Sequence, residues 1–297
     1  MTSSSHIPVL ADEVLAWLAP RPGSVLVDGT LGGGGHTRLL AQQVGRAGRV
    51  IGLDRDPAVI RAAGPLIDTH PQVSVFQANY AELGQVLADV ELTAVDGIVL
   101  DLGLSSDQLA DPRRGFSFEQ DGPLDLRFDP TRGEPAWALL ARWNERTLAD
   151  VLYQFGQERF SRRIARRIVH TRRQQPIRTS GQLADLVRRC VPRSRGHRID
   201  PATRTFQALR IAVNGEIDSL NHALTELPDL LRPGGRLVII AFHSLEDRPV
   251  KQAFRQDPRL GNLTRKPVRP TAAEVARNPR SRSAKLRAAQ RCPSPNS

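Results

Sequence analysis

Apolar residues in the first third of the chain come in short runs, each closed by glycine or aspartate and followed by a stretch with helical spacing. Residues 25–27 predict a strand, and 37–44 the helix behind it. Residues 49–53 (RVIGL) predict a second strand ending at Asp54, then a helix over 57–67 with Pro57 in its first turn. Residues 73–76 and 95–100 predict third and fourth strands, the last running into Asp101. Runs so short, apolar throughout and bounded by Gly and Asp, fit central strands of a parallel sheet built from βαβ units.

The rhythm breaks between about residues 108 and 201. DPRRGFSFEQDGPLDLRFDP reads as loop. Helical faces follow. Leu148, Val151, Leu152 and Phe155 lie behind a cap at Asn144 or Thr147, Phe160, Ile164 and Ile168 recur every four residues, and 183–191 follow Ser180. The sheet rhythm then returns. Residues 205–224 predict an amphipathic helix, and LLRPGGRLVIIAFHS predicts a helix end, a Pro-Gly-Gly turn and a fifth strand over 237–242. The tail from Asn278 is basic and is then expected to fray into PSPNS at 293–297. The predicted architecture is α/β: a sheet domain formed by 1–107 and 205–297, interrupted by a mostly helical insertion over 108–204.

Charge changes this picture. Lys and Arg number 42 against 31 acids, a formal +11 in 297 residues, and most cations are Arg. Arginine offers a planar fork of donors suited to phosphate, so the excess points to a polyanion, most simply nucleic acid. The alternative is a solvated basic surface. Only two cysteines occur, Cys190 and Cys292, far apart, which argues against a disulfide framework or a cysteine zinc site. No secretory signal and no apolar run of about 18 residues is visible, so a cytoplasmic protein without a membrane span is expected.

The candidate chemistry centres on DGTLGGGGH, residues 28–36. In an open α/β sheet, ligands bind beyond the carboxyl ends of the strands, near the point where strand order reverses. Glycines there let backbone amides approach a ligand, and the next helix presents its N-terminus. Asp54, 22 residues after Gly32, suits the hydroxyls of a ribose. The dinucleotide fingerprint G-x-G-x-x-G fails, because its last position falls on Thr37 or Arg38. Three strand-end acids, Asp28, Asp54 and Asp101, are expected around the site, where they would favour a cation over a pyrophosphate. S-adenosylmethionine (SAM), a sulfonium with an ammonium group, fits that requirement. The bland reading is that each Asp caps the helix after it.

Longer blocks now matter. HIPVL at 6–10, DGTLGGGGH, DRDP at 54–57, DLGLSSDQL at 101–109, RGFSF and DGPLDLRFDP within 114–130, TFQALRIAVNGE at 205–216, FHSLEDRPVK at 242–251 and RNPRSRSAKLR at 277–287 span most of the chain. Together they resemble the ribosomal RNA small-subunit methyltransferase H family. The resemblance implies a Rossmann-like class I SAM-dependent methyltransferase sheet and N4-methylation of one cytidine in the decoding region of 16S ribosomal RNA. It implies cofactor contacts at Gly34, Gly35, His36, Asp54, Tyr80, Asp101 and Gln108, with 16S RNA or the small subunit as partner. Tyr80 stands where the family often has Phe, and Pro249 where a β-branched residue is common. Whether the chain pairs as a homodimer stays open.

No general base is assigned, and no metal is expected. Asp101 and His243 are the candidate catalytic residues, Asp101 being read first as a cofactor residue and His243 equally as a helix cap. Ser105 and Ser106 are candidates to orient the base. The target must be turned out of its stack to be reached. Arg162, Arg163, Arg166 and Arg167, then Arg193, Arg195 and Arg198, and the tail's Arg280, Arg282, Lys285 and Arg287 are expected to meet phosphates. His170 and His197 are expected on the surface. Rival readings are a DNA amino-methyltransferase, a NAD-linked oxidoreductase and a non-catalytic RNA-binding assembly protein.

Overall fold

The computed structural model describes residues 7–192 and 200–293. Arg193, Arg195, His197 and Arg198 lie outside the described residues, as does His6 of the first block. The chain divides into two compact units: Met1–Leu104 with Ile217–Ser297, and Ser105–Glu216.

The first unit is a seven-stranded sheet in the order β3-β2-β1-β4-β5-β7-β6. Its strands are β1 Val25–Asp28, β2 Arg49–Asp54, β3 Val73–Gln77, β4 Val95–Asp101, β5 Leu231–Ala241, β6 Leu260–Asn262 and β7 Lys285–Arg291. Neighbours among β1 to β5 pair parallel, β7 runs antiparallel to β5, and β6 antiparallel to β7. Strand order therefore reverses between β1 and β4, which places Asp28 and Asp101 at the switch point and Asp54 one strand away. The core lies on both faces: Val27, Ile51, Leu100 and Ile239 pack on one, Leu26, Val50, Val99 and Val238 on the other.

Several boundaries differ from expectation. The predicted helix over 57–67 is two helices, Pro57–Ala62 and Gly64–Thr69, because Pro65 has no N–H to continue the ladder. β5 starts at Leu231, and the Pro-Gly-Gly stretch is an irregularity inside it, with the register shifting between Val95 and Gly97. The basic part of the tail forms a strand, and residues 294–297 of the expected frayed end lie outside the described residues. Leu286, Ala288 and Ala289 are buried in β7, and Arg287 is buried too, its Nε donating to Asp247 at 2.7 Å. Pairing is what allows a cation into a strand interior, and the basic composition hid the strand.

The second unit carries the helices Ala136–Arg142, Glu145–Gly156, Ser161–Arg172, Ser180–Cys190 and Ala202–Asn214. The last was expected with the sheet, as the front of one helix over 205–224. That helix breaks at Gly215, whose φ is +58°. Its first half lies in this unit, with Phe206, Ala208 and Leu209 buried. The loop DGPLDLRFDP is fixed by Asn214, whose Nδ2 donates to Leu126 O at 2.7 Å and whose Oδ1 accepts from Phe128 N at 2.7 Å. Its own Leu124 and Leu126 are fully buried.

Candidate active site

The glycine loop is built by hydrogen bonds from both ends. Leu31 N donates to Leu53 O at 2.8 Å, joining the loop to β2, and Gly34 N donates to Leu31 O at 2.7 Å, closing the turn. Gly34 has φ +72°, and the helix Gly35–Val44 begins at the next residue. A Cβ on Gly35 would stand 3.1 Å from Pro8, so the N-terminal segment backs the loop closely. Backbone amides at a helix start, with no side chain over them, form a cradle for an acceptor group.

Asp54 holds this loop. Its Oδ2 accepts from Gly32 N at 2.9 Å and its Oδ1 from Asp56 N at 2.9 Å. Burial pushes its carboxyl up to about 6, against the pull of the Asp56 and Gly32 amides. Each oxygen keeps a lone pair, so the carboxylate remains able to accept from a diol.

Asp28 corrects the sequence reading. It was expected to line the crevice, but it is 1% exposed. Its Oδ1 accepts from Thr30 N at 3.1 Å and its Oδ2 from the Thr37 hydroxyl at 2.7 Å. Burial raises its carboxyl above the usual range, although His36 and the two threonines oppose that. Asp28 therefore shapes the loop from inside, and the acids at the rim are Asp54 and Asp101.

Asp101 closes β4. Its backbone N donates to Thr30 Oγ1 at 2.7 Å, and its Oδ2 lies 3.5 Å from His36 Nε2. Its Oδ1 is buried with no hydrogen-bond partner among the described residues. His36, in the first turn of the helix, is likewise buried. Burial alone would strip its proton, but Asp101 and then Asp28 outweigh that and raise the imidazole above its ordinary value.

Tyr80 opens the short turn Tyr80–Glu82 after β3 and is half-buried. It packs over the loop: a Cβ on Gly29 would stand 3.0 Å from Tyr80 Cβ. The Asn79 side chain accepts from Ala81 N, and its Nδ2 donates to Ser219 Oγ at 2.9 Å, fixing the turn. Gln108 lies in the second unit, at the third position of Ser106–Ala110. Its Oε1 accepts from Ser105 N at 3.1 Å and its backbone N donates to Ser105 Oγ at 3.2 Å. Ser105 is thus that helix's cap. His243 caps Ser244–Gln256, with Glu246 Oε1 3.1 Å from its Nε2 and Glu246 Oε2 accepting from Phe242 N at 2.8 Å. Pro249 sits inside that helix rather than at its start.

The sheet unit thus brings together Gly34, Gly35, His36, Asp54, Tyr80 and Asp101. Sequence reasoning missed Thr30 and Thr37, whose hydroxyls tie Asp28 and Asp101 into one network. Their signal was present: a Thr two residues past a strand-end Asp, and another in the first helical turn.

In the second unit, the helix Ser161–Arg172 buries Ile164, Ala165 and Ile168 and exposes Arg162, Arg163, Arg166 and Arg167. Among these four, Arg166 approaches Glu145 at 3.5 Å. His170 is exposed. Arg172 turns inward instead, donating to Leu140 O and, at 2.6 Å, to Trp143 O. In the tail, Arg280 and Arg282 are exposed, while Lys285 and Arg287 pair with Asp247. No described helix is long and apolar enough to cross a membrane.

The MraW methylase family model matches residues 3–292. The ribosomal RNA small subunit methyltransferase H of Rhodopirellula baltica is 52% identical over 298 residues, covering 97% of this chain and 92% of its own. Its namesake in Thermomicrobium roseum is 50% identical over 308 residues, covering 97% and 94%. That of Synechococcus elongatus is 50% identical over 295 residues, covering 98% and 96%.

Proposed function

This chain belongs to the MraW methylase family, and we infer on that premise what its site does. It is a SAM-dependent methyltransferase that methylates N4 of a cytidine in the decoding region of 16S ribosomal RNA. SAM supplies a methyl group on a positively charged sulfur. The observation that carries the site assignment is the Asp54 carboxylate bonded to the glycine-loop amide of Gly32 at 2.9 Å, beside a loop without side chains. In this reading the amides of Gly34, Gly35 and His36 face the cofactor, Asp54 accepts its ribose hydroxyls, and Tyr80 lies against its adenine. Asp101 borders the pocket. Asp101 Oδ1, buried and without a hydrogen-bond partner among the described residues, fits a ligand that donates a hydrogen there.

The exocyclic amine of cytosine is a weak nucleophile, because its lone pair is delocalised into the ring. The protein must therefore hold N4 in line with the methyl group and offer an acceptor for its hydrogen. We assign the exposed Arg162, Arg163, Arg166 and Arg167 to RNA phosphates, with the small subunit or its free 16S RNA as partner in the cytoplasm. Such contacts position the RNA without reading its sequence. The helical unit then serves as the substrate platform and the sheet unit as the methyl-transfer domain.

Mass spectrometry of 16S RNA from cells lacking this chain tests the function. The N4-methyl mark should disappear, return with the wild-type chain and stay absent with Asp54→Ala. Persistence of the mark in the deleted strain would reject the assignment. Labelled methyl transfer into DNA but not RNA would favour the DNA enzyme instead.

A further inference from the structure

His36 and Asp101 are an unusual pair for a cofactor loop. An imidazolium at a helix N-terminus is opposed by the helix dipole and by burial. Two carboxylates face it: Asp101 from the end of β4, 3.5 Å away, and Asp28 from the end of β1. Asp54 is taken up by the Gly32 and Asp56 amides, and Pro8, which backs the helix start at Gly35, is uncharged. At 3.5 Å the contact to Asp101 is one of charge rather than a hydrogen bond. Thr30 Oγ1 fixes the Asp101 backbone at 2.7 Å, which leaves the carboxylate's orientation to His36. The remaining oxygen, Oδ1, is buried and unpartnered among the described residues. Leaving such an atom unmet is costly, so a bound donor is expected there.

We propose that His36 is a positioning residue whose imidazolium holds Oδ2 of Asp101 so that Oδ1 accepts a hydrogen bond from the amine being methylated. This rests on the methyltransferase reading above and names the acceptor that reading left open. Charge decides which reactant meets Oδ1. Beside an imidazolium the carboxylate's field is largely cancelled, so the pair attracts a cation poorly. It still accepts a hydrogen bond, which suits a neutral amine better than the ammonium of SAM. In the step itself, the nitrogen lone pair forms the bond to the methyl carbon while the carbon–sulfur pair remains on sulfur, leaving a neutral thioether. The nitrogen, now cationic, gives its proton to Asp101 Oδ1, and water takes it from there.

The test uses the full chain with SAM and small subunits from cells lacking it. His36→Gln should lower kcat by about tenfold at neutral pH while the SAM dissociation constant stays within about threefold. Wild-type kcat should fall as pH rises through the His36 titration read by NMR, because the imidazolium is lost there. That alkaline limb should be missing in His36→Gln. Tighter SAM binding in His36→Gln would mean Asp101 meets the cofactor's cation, and would overturn the proposal. So would a pH profile of unchanged shape. Should His36→Gln not fold, the His36 titration in Asp101→Asn decides: a fall in its midpoint supports the pair, an unmoved midpoint rejects it. A wild-type chain that binds no SAM or transfers no methyl group fails the methyltransferase reading itself, whatever His36 does.

Discussion

In the sheet unit, Asp28, His36 and Arg287 carry their ionisable groups inside the protein, and Asp54 and Asp101 hold theirs at its edge. In the helical unit, Arg162, Arg163, Arg166 and Arg167 stand in solvent on a helix whose other side is Ile164, Ala165 and Ile168. The two arrangements cost differently and serve differently. A buried charge must be met by a partner, so it fixes geometry. An exposed charge fixes little, is weakened by salt, and remains available to an outside polyanion. Chemistry that needs atoms held in place belongs to the first kind, and phosphate binding to the second.

The sharpest test of this contrast pairs one arginine of each kind. Arg287→Ala should destabilise the sheet unit by about 3 kcal/mol, because Asp247 is then left half-buried with Lys285 alone, 3.3 Å away. Arg162→Ala should change stability by less than about 0.5 kcal/mol. Equal denaturation midpoints for the two variants would erase the distinction. Next in size is reversal of all four exposed arginines to glutamate. It should cost about a hundredfold or more in RNA affinity at low salt and make the slope of log K against log salt shallower by roughly 3. SAM affinity should not change. An unaltered slope would remove the Ser161–Arg172 helix from the RNA platform.

The same contrast explains what could be read from the sequence. β1 to β4 and the glycine loop were legible because short apolar runs ending in Asp or Gly signal buried parallel strands, and their ends mark the site. The exposed arginines were legible because they alternate with Ile164 and Ile168 at helical spacing. What misled was charge placed inside. Arg287 made β7 read as a basic tail, since no local pattern reveals that Asp247, 40 residues earlier, would neutralise it. Asp28 was read as a rim acid because its partners, Thr30 and Thr37, act through side chains that periodicity does not report. Fewer acids than expected therefore favour a cationic ligand: Asp54 does, while His36 offsets the charge of Asp101. The helix break at Gly215 follows from its positive φ, which no amphipathic pattern shows.

Asp54 sits between the extremes, since it both holds the loop and is offered to the ligand. Asp54→Ala should weaken SAM binding by about 1.5 to 3 kcal/mol, measured by calorimetry, through the loss of charge-assisted hydrogen bonds. Its titration supplies a finer probe. Burial raises the carboxyl to about 6 in the free protein. If the ionised form accepts the ribose hydroxyls, SAM affinity should hold above that value and fall by up to about tenfold per pH unit below it. Stability moves the opposite way. A carboxyl whose folded value exceeds its unfolded one contributes stability at low pH, and that contribution fades as pH climbs through about 6. One residue thus predicts weaker binding and relatively greater stability on acidification. Asp54→Asn removes both trends together. Binding that stayed flat from pH 7 to 5 in the wild-type chain would show that the carboxylate works only as the staple of Gly32, and that another group meets the ribose.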